Sequence, residues 1–156
     1  MKEIVPRVWW KVPLYSMLSG YAAYWFMLGV IGPIAYKKLP DGTVSSNDAL
    51  WMLASGAVFV AVVLIGGLLF FRRMTRRELL CSATVMFFLD VALAILSLVL
   101  PQSGVPLLRV YTREWYGFVT GLLSRLGLNN WIGAVIGWSC VYLLVLFGKK
   151  DAEERK

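Results

Sequence analysis

Apolar residues run along this chain in four long blocks, and polar residues collect between them. The blocks cover 14–36, 49–71, 79–100 and 131–147. A helix needs about 20 apolar residues to cross a bilayer core, so the last block sits near the short limit. Within hydrocarbon an open strand would leave its backbone groups unpaired, so the blocks predict helices. The pattern therefore predicts an all-α membrane protein, a four-transmembrane-helix bundle forming one domain over 1–148. A charged tail, 149–156, follows it.

Segment 106–126 has a different rhythm. Leu108, Tyr111, Trp115, Phe118, Val119, Leu122 and Leu126 recur at helical spacing, while Arg109, Arg113 and Glu114 fall in the first half. Each charge would cost about 2.5–3.5 kcal/mol near the centre of a spanning helix. A fifth span would also carry the basic tail to the opposite side. The expectation is an amphipathic interfacial helix between helices 3 and 4, lying on or dipping into the membrane surface. A helical hairpin over the mouth of the bundle is the alternative. Pro106 suits its first turn and Gly127 its stop.

The block edges carry local signals. Ser46 or Asn47 caps the second span. Thr75 stands three residues before Glu78, a capping-box spacing that opens the third. The short link between these two spans makes them an antiparallel hairpin. Pro33, with Gly29 and Gly32 nearby, marks the end of the first.

Charge then sets direction. Lys2, Arg7, Lys11, Arg72, Arg73, Arg76, Arg77, Lys149, Lys150, Arg155 and Lys156 share one side of a four-span chain, eleven in all. Lys37, Lys38, Arg109, Arg113 and Arg125, five in all, share the other. The positive-inside rule puts both termini in the cytoplasm. Trp9 and Trp10 fit the inner interface, and Trp51, Trp115 and Trp131 the outer one. The compact charged loops suit a plasma membrane, of the bacterial inner-membrane kind.

Composition agrees with this frame. The apolar share is 59% and the charged share 16%, against about 45–50% and about 25% in soluble domains. The formal net charge of +7 has no nucleic-acid motif or basic face behind it, so anionic lipid headgroups on the cytoplasmic side are the expected partners. Arg72, Arg73, Arg76 and Arg77 would meet them, and Arg109 and Arg113 are candidates for lipid or anion contact at the outer surface. The chain has no histidine, which removes the commonest metal ligand and the usual base near neutral pH. No cofactor or metal is expected. Cys81 and Cys140 show no paired or metal-type spacing.

One carboxylate stands out. Asp90 lies midway along the third span, whose thirteen Leu, Ile, Val and Phe residues favour insertion by roughly 4–8 kcal/mol against about 3 for the acid. Ala83, Met86, Phe87, Ala94 and Ser97 share its face. Several are small, so that face is expected to pack on another helix. Antiparallel threading puts Tyr24, Ser139 and Tyr142 at the same depth as candidate hydrogen-bond partners. No Lys or Arg is expected at that depth, so the carboxyl is expected to hold a proton at neutral pH.

Intramembrane acids mark ion and proton paths. The leading expectation is a small transport or transport-accessory protein, with Asp90 as the proton- or cation-coupled or gating group. A path through so small a chain would need a second copy or a partner subunit. The alternatives are an assembly subunit of a larger membrane complex, and a lipid-headgroup-modifying enzyme using Glu114 with Arg109 and Arg113. No nucleophile motif or phosphate loop supports the enzyme.

Overall fold

A computed structural model describes residues 8–149. Lys2, Arg7 and the tail from Lys150 onward lie outside the described residues. The architecture is all-helical apart from one short ribbon, and four helices are long and apolar enough to cross a membrane: α1 (Lys11–Ala35), α2 (Asp48–Phe71), α3 (Arg76–Val99) and α6 (Asn130–Phe147). Two shorter helices, α4 (Val105–Arg113) and α5 (Gly117–Arg125), lie between α3 and α6.

The helix ends follow their local chemistry. Asn47 caps α2, its side chain accepting from Leu50 N at 3.0 Å. Thr75 and Glu78 form the expected capping box: Thr75 Oγ1 accepts from Glu78 N at 3.2 Å, and Thr75 N donates to Glu78 Oε2 at 2.9 Å. Upstream of Pro33, α1 widens into a π-helical turn over Met27–Ile31 and ends two residues after the proline. Proline lacks the N–H that would continue the ladder. Gly127 takes a φ of +79° where α5 stops, a backbone that glycine adopts without penalty.

The link between α1 and α2 is not irregular. It forms an antiparallel ribbon, β1 (Tyr36–Lys38) with β2 (Val44–Ser46), Lys37 opposite Ser45. Asp41 sits in its turn and accepts from the Thr43 hydroxyl at 2.6 Å and from the Thr43 amide at 3.0 Å. These bonds hold its carboxyl below the usual range.

At the opposite end of the bundle, Lys149 bridges to the α2–α3 link. Arg76 N donates to Lys149 O at 3.0 Å, and Lys149 N donates to Met74 O at 2.9 Å. Ser82 Oγ receives the Val12 amide at 3.0 Å and donates to Trp9 O at 2.8 Å. The start of α1, the arginine link Arg72–Arg77 and the end of α6 therefore share one end, as four crossings require. One core cluster lies here, built on Val12, Phe71, Leu79, Met86 and Leu144.

The single helix expected over 106–126 is broken. A tight 3-10 turn, Glu114–Tyr116, separates α4 from α5, and its two aromatics are among the most buried side chains, Trp115 at 1% and Tyr116 at 2% exposure. Trp115 thus sits in the interior and not at the outer interface. Its indole stacks on Phe59 at 6.0 Å and meets Tyr116 edge-on at 5.3 Å.

The two arms run in opposite directions. Along α4, Arg109 bonds Ser97, while Thr112 and Tyr116 face Asp90. Seven residues of α3 separate Ser97 from Asp90, or ~10 Å of rise, so the chain descends toward the middle of the bundle. Along α5, Phe118 meets Gly56, Gly121 meets Met52, and Arg125 pairs with Asp48 at 3.6 Å. Those partners climb back to the start of α2. The segment is a helical hairpin that enters and leaves at the ribbon end, its turn level with Asp90.

Small residues admit it. Ser16, Gly20 and Ala23 form a buried face on α1. A β-carbon on Gly20 would overlap the Tyr111 carbonyl oxygen. On α6, Gly137 lies against Thr120 and Tyr116, and Gly133 against Leu123. The Gly133/Gly137 pair is thus used for packing inside the chain.

Candidate functional site

Asp90 is 2% exposed. Its flanking face on α3 is buried as the spacing requires, with Ala83 at 0%, Met86 at 1% and Ala94 at 1% exposure. The polar groups nearest the carboxyl come from the hairpin, the hydroxyls of Thr112 and Tyr116, with the Arg109 guanidinium acting on its charge from beyond ion-pair distance. The expectation that no cation lies at this depth fails, because the hairpin carries Arg109 inward from the surface, where it acts on the carboxyl.

The candidate partners named from depth alone are directed elsewhere. Tyr142 donates to Thr84 Oγ1 at 3.2 Å. Ser139 donates to the Val135 carbonyl of its own helix at 2.8 Å. The Tyr24 ring packs edge-on against Tyr111, the centroids 5.3 Å apart. Tyr142 meets α3 at Thr84, six residues or ~9 Å of rise from Asp90, and helix rotation is not available from spacing.

Arg109 is held from two sides. Its Nη1 donates to Ser97 Oγ at 2.9 Å. Thr112 Oγ1 donates to the Arg109 carbonyl at 3.0 Å. Four buried polar atoms around the hairpin turn make no hydrogen bond among the described residues: Asp90 Oδ2, Arg109 Nε, Trp115 Nε1 and the Tyr116 hydroxyl. An unsatisfied buried group costs about 1–3 kcal/mol, so such a concentration needs a reason.

A cavity of about 460 Å³ lies between the hairpin arms and α6. Arg109, Arg113 and Tyr116 line it from the first arm and the turn, Thr120 and Ser124 from the second, and Gly133 from α6. Gly117, Thr120, Gly121 and Ser124 recur every three or four residues, which puts them on one face of α5. That face is small and polar where the rest of the helix is apolar. Tyr116 belongs to both places, lining the cavity and facing Asp90. Among the described residues no carboxylate lines the cavity; Glu114 stands beside Arg113 outside it.

The other arginines are separate. Arg72, Arg73, Arg76 and Arg77 lie exposed at the opposite end, where Arg76 Nε donates to Gly148 O at 3.3 Å. A larger cleft of about 690 Å³ between α1 and α2 is walled by Leu14, Leu18, Phe26, Val62 and Phe70. It is apolar and offers no comparable chemistry. Cys81 and Cys140 are both free.

No family model, curated protein or solved structure matches this chain.

Proposed function

We propose that the protein is a small membrane transport protein in which Asp90 is the coupling carboxyl and the hairpin over it is the gate. The observation that carries this reading is that the one acid in mid-span is 2% exposed and turned toward Arg109, Thr112 and Tyr116 of a re-entering segment. Buried intramembrane acids facing a polar cavity mark proton and ion routes.

The neighbouring hydroxyls suit both states of the carboxyl. Thr112 already donates its proton to the Arg109 carbonyl, so toward Asp90 it offers lone pairs, which a protonated carboxyl can use. The Tyr116 proton is uncommitted, which suits a carboxylate. When Asp90 is charged, it attracts Arg109 and draws α4 onto α3. When Asp90 takes a proton on Oδ2, that attraction ends and the Ser97 bond is left to hold the arm. Tyr116, in contact with the cavity, is the route for the proton.

The arginine-rich end faces the cytoplasm in this reading, as the charge count favours, in a plasma membrane. Between Asp48 and Ile65 no residue of α2 is fully buried; this apolar side is available to lipid or to a second copy that completes the path.

The test is reconstitution of wild type and Asp90→Asn into liposomes holding a pH-sensitive dye, with a potassium diffusion potential driving proton entry in phosphate or chloride media. Wild type carries protons in at least one medium, and Asp90→Asn is slower by tenfold or more with an unchanged melting temperature. Equal proton entry in the two proteins overturns the proposal.

A further inference from the structure

The cavity above Tyr116 has a composition that specifies what it holds. Among the described residues two guanidiniums line it and no carboxylate does. Arg109 Nε and the Tyr116 hydroxyl are buried there as donors without acceptors inside the protein, and Tyr116 is 2% exposed. Thr120 and Ser124 add hydroxyls along α5, although Thr120 Oγ1 already donates to the Gly117 carbonyl at 3.0 Å. Unpaired buried donors beside positive charge make an environment for an anion, and the exposed Arg113 and Ser124 leave the cavity open to solutes. Guanidinium suits flat or tetrahedral oxyanions because its N–H groups form a fork that two oxygens can accept. A space of about 460 Å³ lies within the range of small-molecule sites.

We infer that this cavity binds an oxyanion, a phosphate or carboxylate group, between Arg109 and Arg113 with Tyr116 at its floor. As a statement about cargo, the inference rests on the transport reading; as a statement about binding, it does not. It also gives Asp90 a purpose. The Asp90 carboxylate and a bound anion would both act on Arg109, so protonation of Asp90 removes a negative charge that repels the incoming anion. The group could belong to a free anion or to a lipid headgroup, since both offer the same oxygens.

The test is calorimetric titration of inorganic phosphate into the full chain in nanodiscs of phosphatidylcholine, repeated with phosphatidylglycerol added. Wild type binds phosphate, and Arg109→Gln and Arg113→Gln each weaken it by about tenfold or more, as expected for loss of one charge-assisted contact. Arg73→Gln, at the far end, leaves it unchanged. Arg109→Lys keeps the charge, loses the fork and falls between. If phosphatidylglycerol competes with phosphate in wild type and not in Arg109→Gln, the natural group is a headgroup; if it does not compete, a soluble anion is the ligand. Both results support the oxyanion site.

The inference is overturned if neither phosphate nor phosphatidylglycerol binds to a protein with a normal melting curve. It is also overturned if both glutamine variants bind as wild type does. Binding without proton entry in liposomes would remove the transport reading alone. Proton entry without binding would remove the oxyanion alone.

Discussion

The carbonyl oxygen of Tyr111 occupies the space that a β-carbon on Gly20 would need. At this point α1 and the descending arm touch backbone to backbone. Neither backbone can yield without moving a helix, so the glycine decides whether the hairpin can seat.

Gly20→Ala should therefore destabilise the protein by about 3 kcal/mol, at the upper end of overpacking costs. Gly29→Ala is the control, since nothing lies within 4 Å of a β-carbon there, and it should leave stability unchanged or slightly raised. Thermal unfolding in detergent reads both. In Gly20→Ala the Trp115 indole, buried at 1% exposure, should also become open to fluorescence quenching. A variant that melts with wild type and keeps Trp115 shielded would contradict the seating of α4 on α1.

Thr75 closes the start of α3 through its side chain, and Glu78 returns the bond to the Thr75 amide. Thr75→Ala should lower stability by about 1 kcal/mol. Glu78→Gln should cost less, because an amide oxygen still accepts the same N–H. Denaturant titration of the two variants checks the order. If Glu78→Gln proves the more damaging, the carboxylate has a role beyond the cap.

Orientation is open to direct labelling. With Cys81→Ala and Cys140→Ala as background, Ser103→Cys at the ribbon end should react with a membrane-impermeant maleimide on intact cells. Arg73→Cys at the arginine end should react only after permeabilisation. The reverse pattern would put the cavity mouth in the cytoplasm.

Much of the bundle was legible from residue pattern because hydrocarbon leaves few choices. A long apolar block must be a helix, and its ends can be placed to within a few residues by caps such as Asn47 and Thr75. The buried face around Asp90 followed from Ala83, Met86 and Ala94 in the same way. The ribbon between α1 and α2 had a local signal, Pro40–Asp41–Gly42, a sequence suited to a turn. The hairpin did not have so plain a signal. Helical spacing distinguishes a polar face from an apolar one, but not whether the polar face meets external water or an internal cavity. Weighed singly, Arg109 is costly to bring inward, while Arg113 stays exposed. The surroundings of Arg109, Ser97 from α3 and the small polar face of α5, become visible only when the arms are folded together. The surroundings of Asp90 are hidden for the same reason, since depth along the spanning segments says nothing of a segment that enters and leaves at one end.

The hairpin's two arms open to one side of the bundle, and this constrains the order of assembly. Residues 105–125 carry Arg109, Arg113 and Glu114 and have little tendency to enter lipid on their own. Their walls are α1, α2 and α3, which emerge earlier in synthesis, and α6, which emerges later. The cavity between the arms and α6 is therefore completed only when the last helix is in place, and a chain truncated before residue 130 would lack that wall.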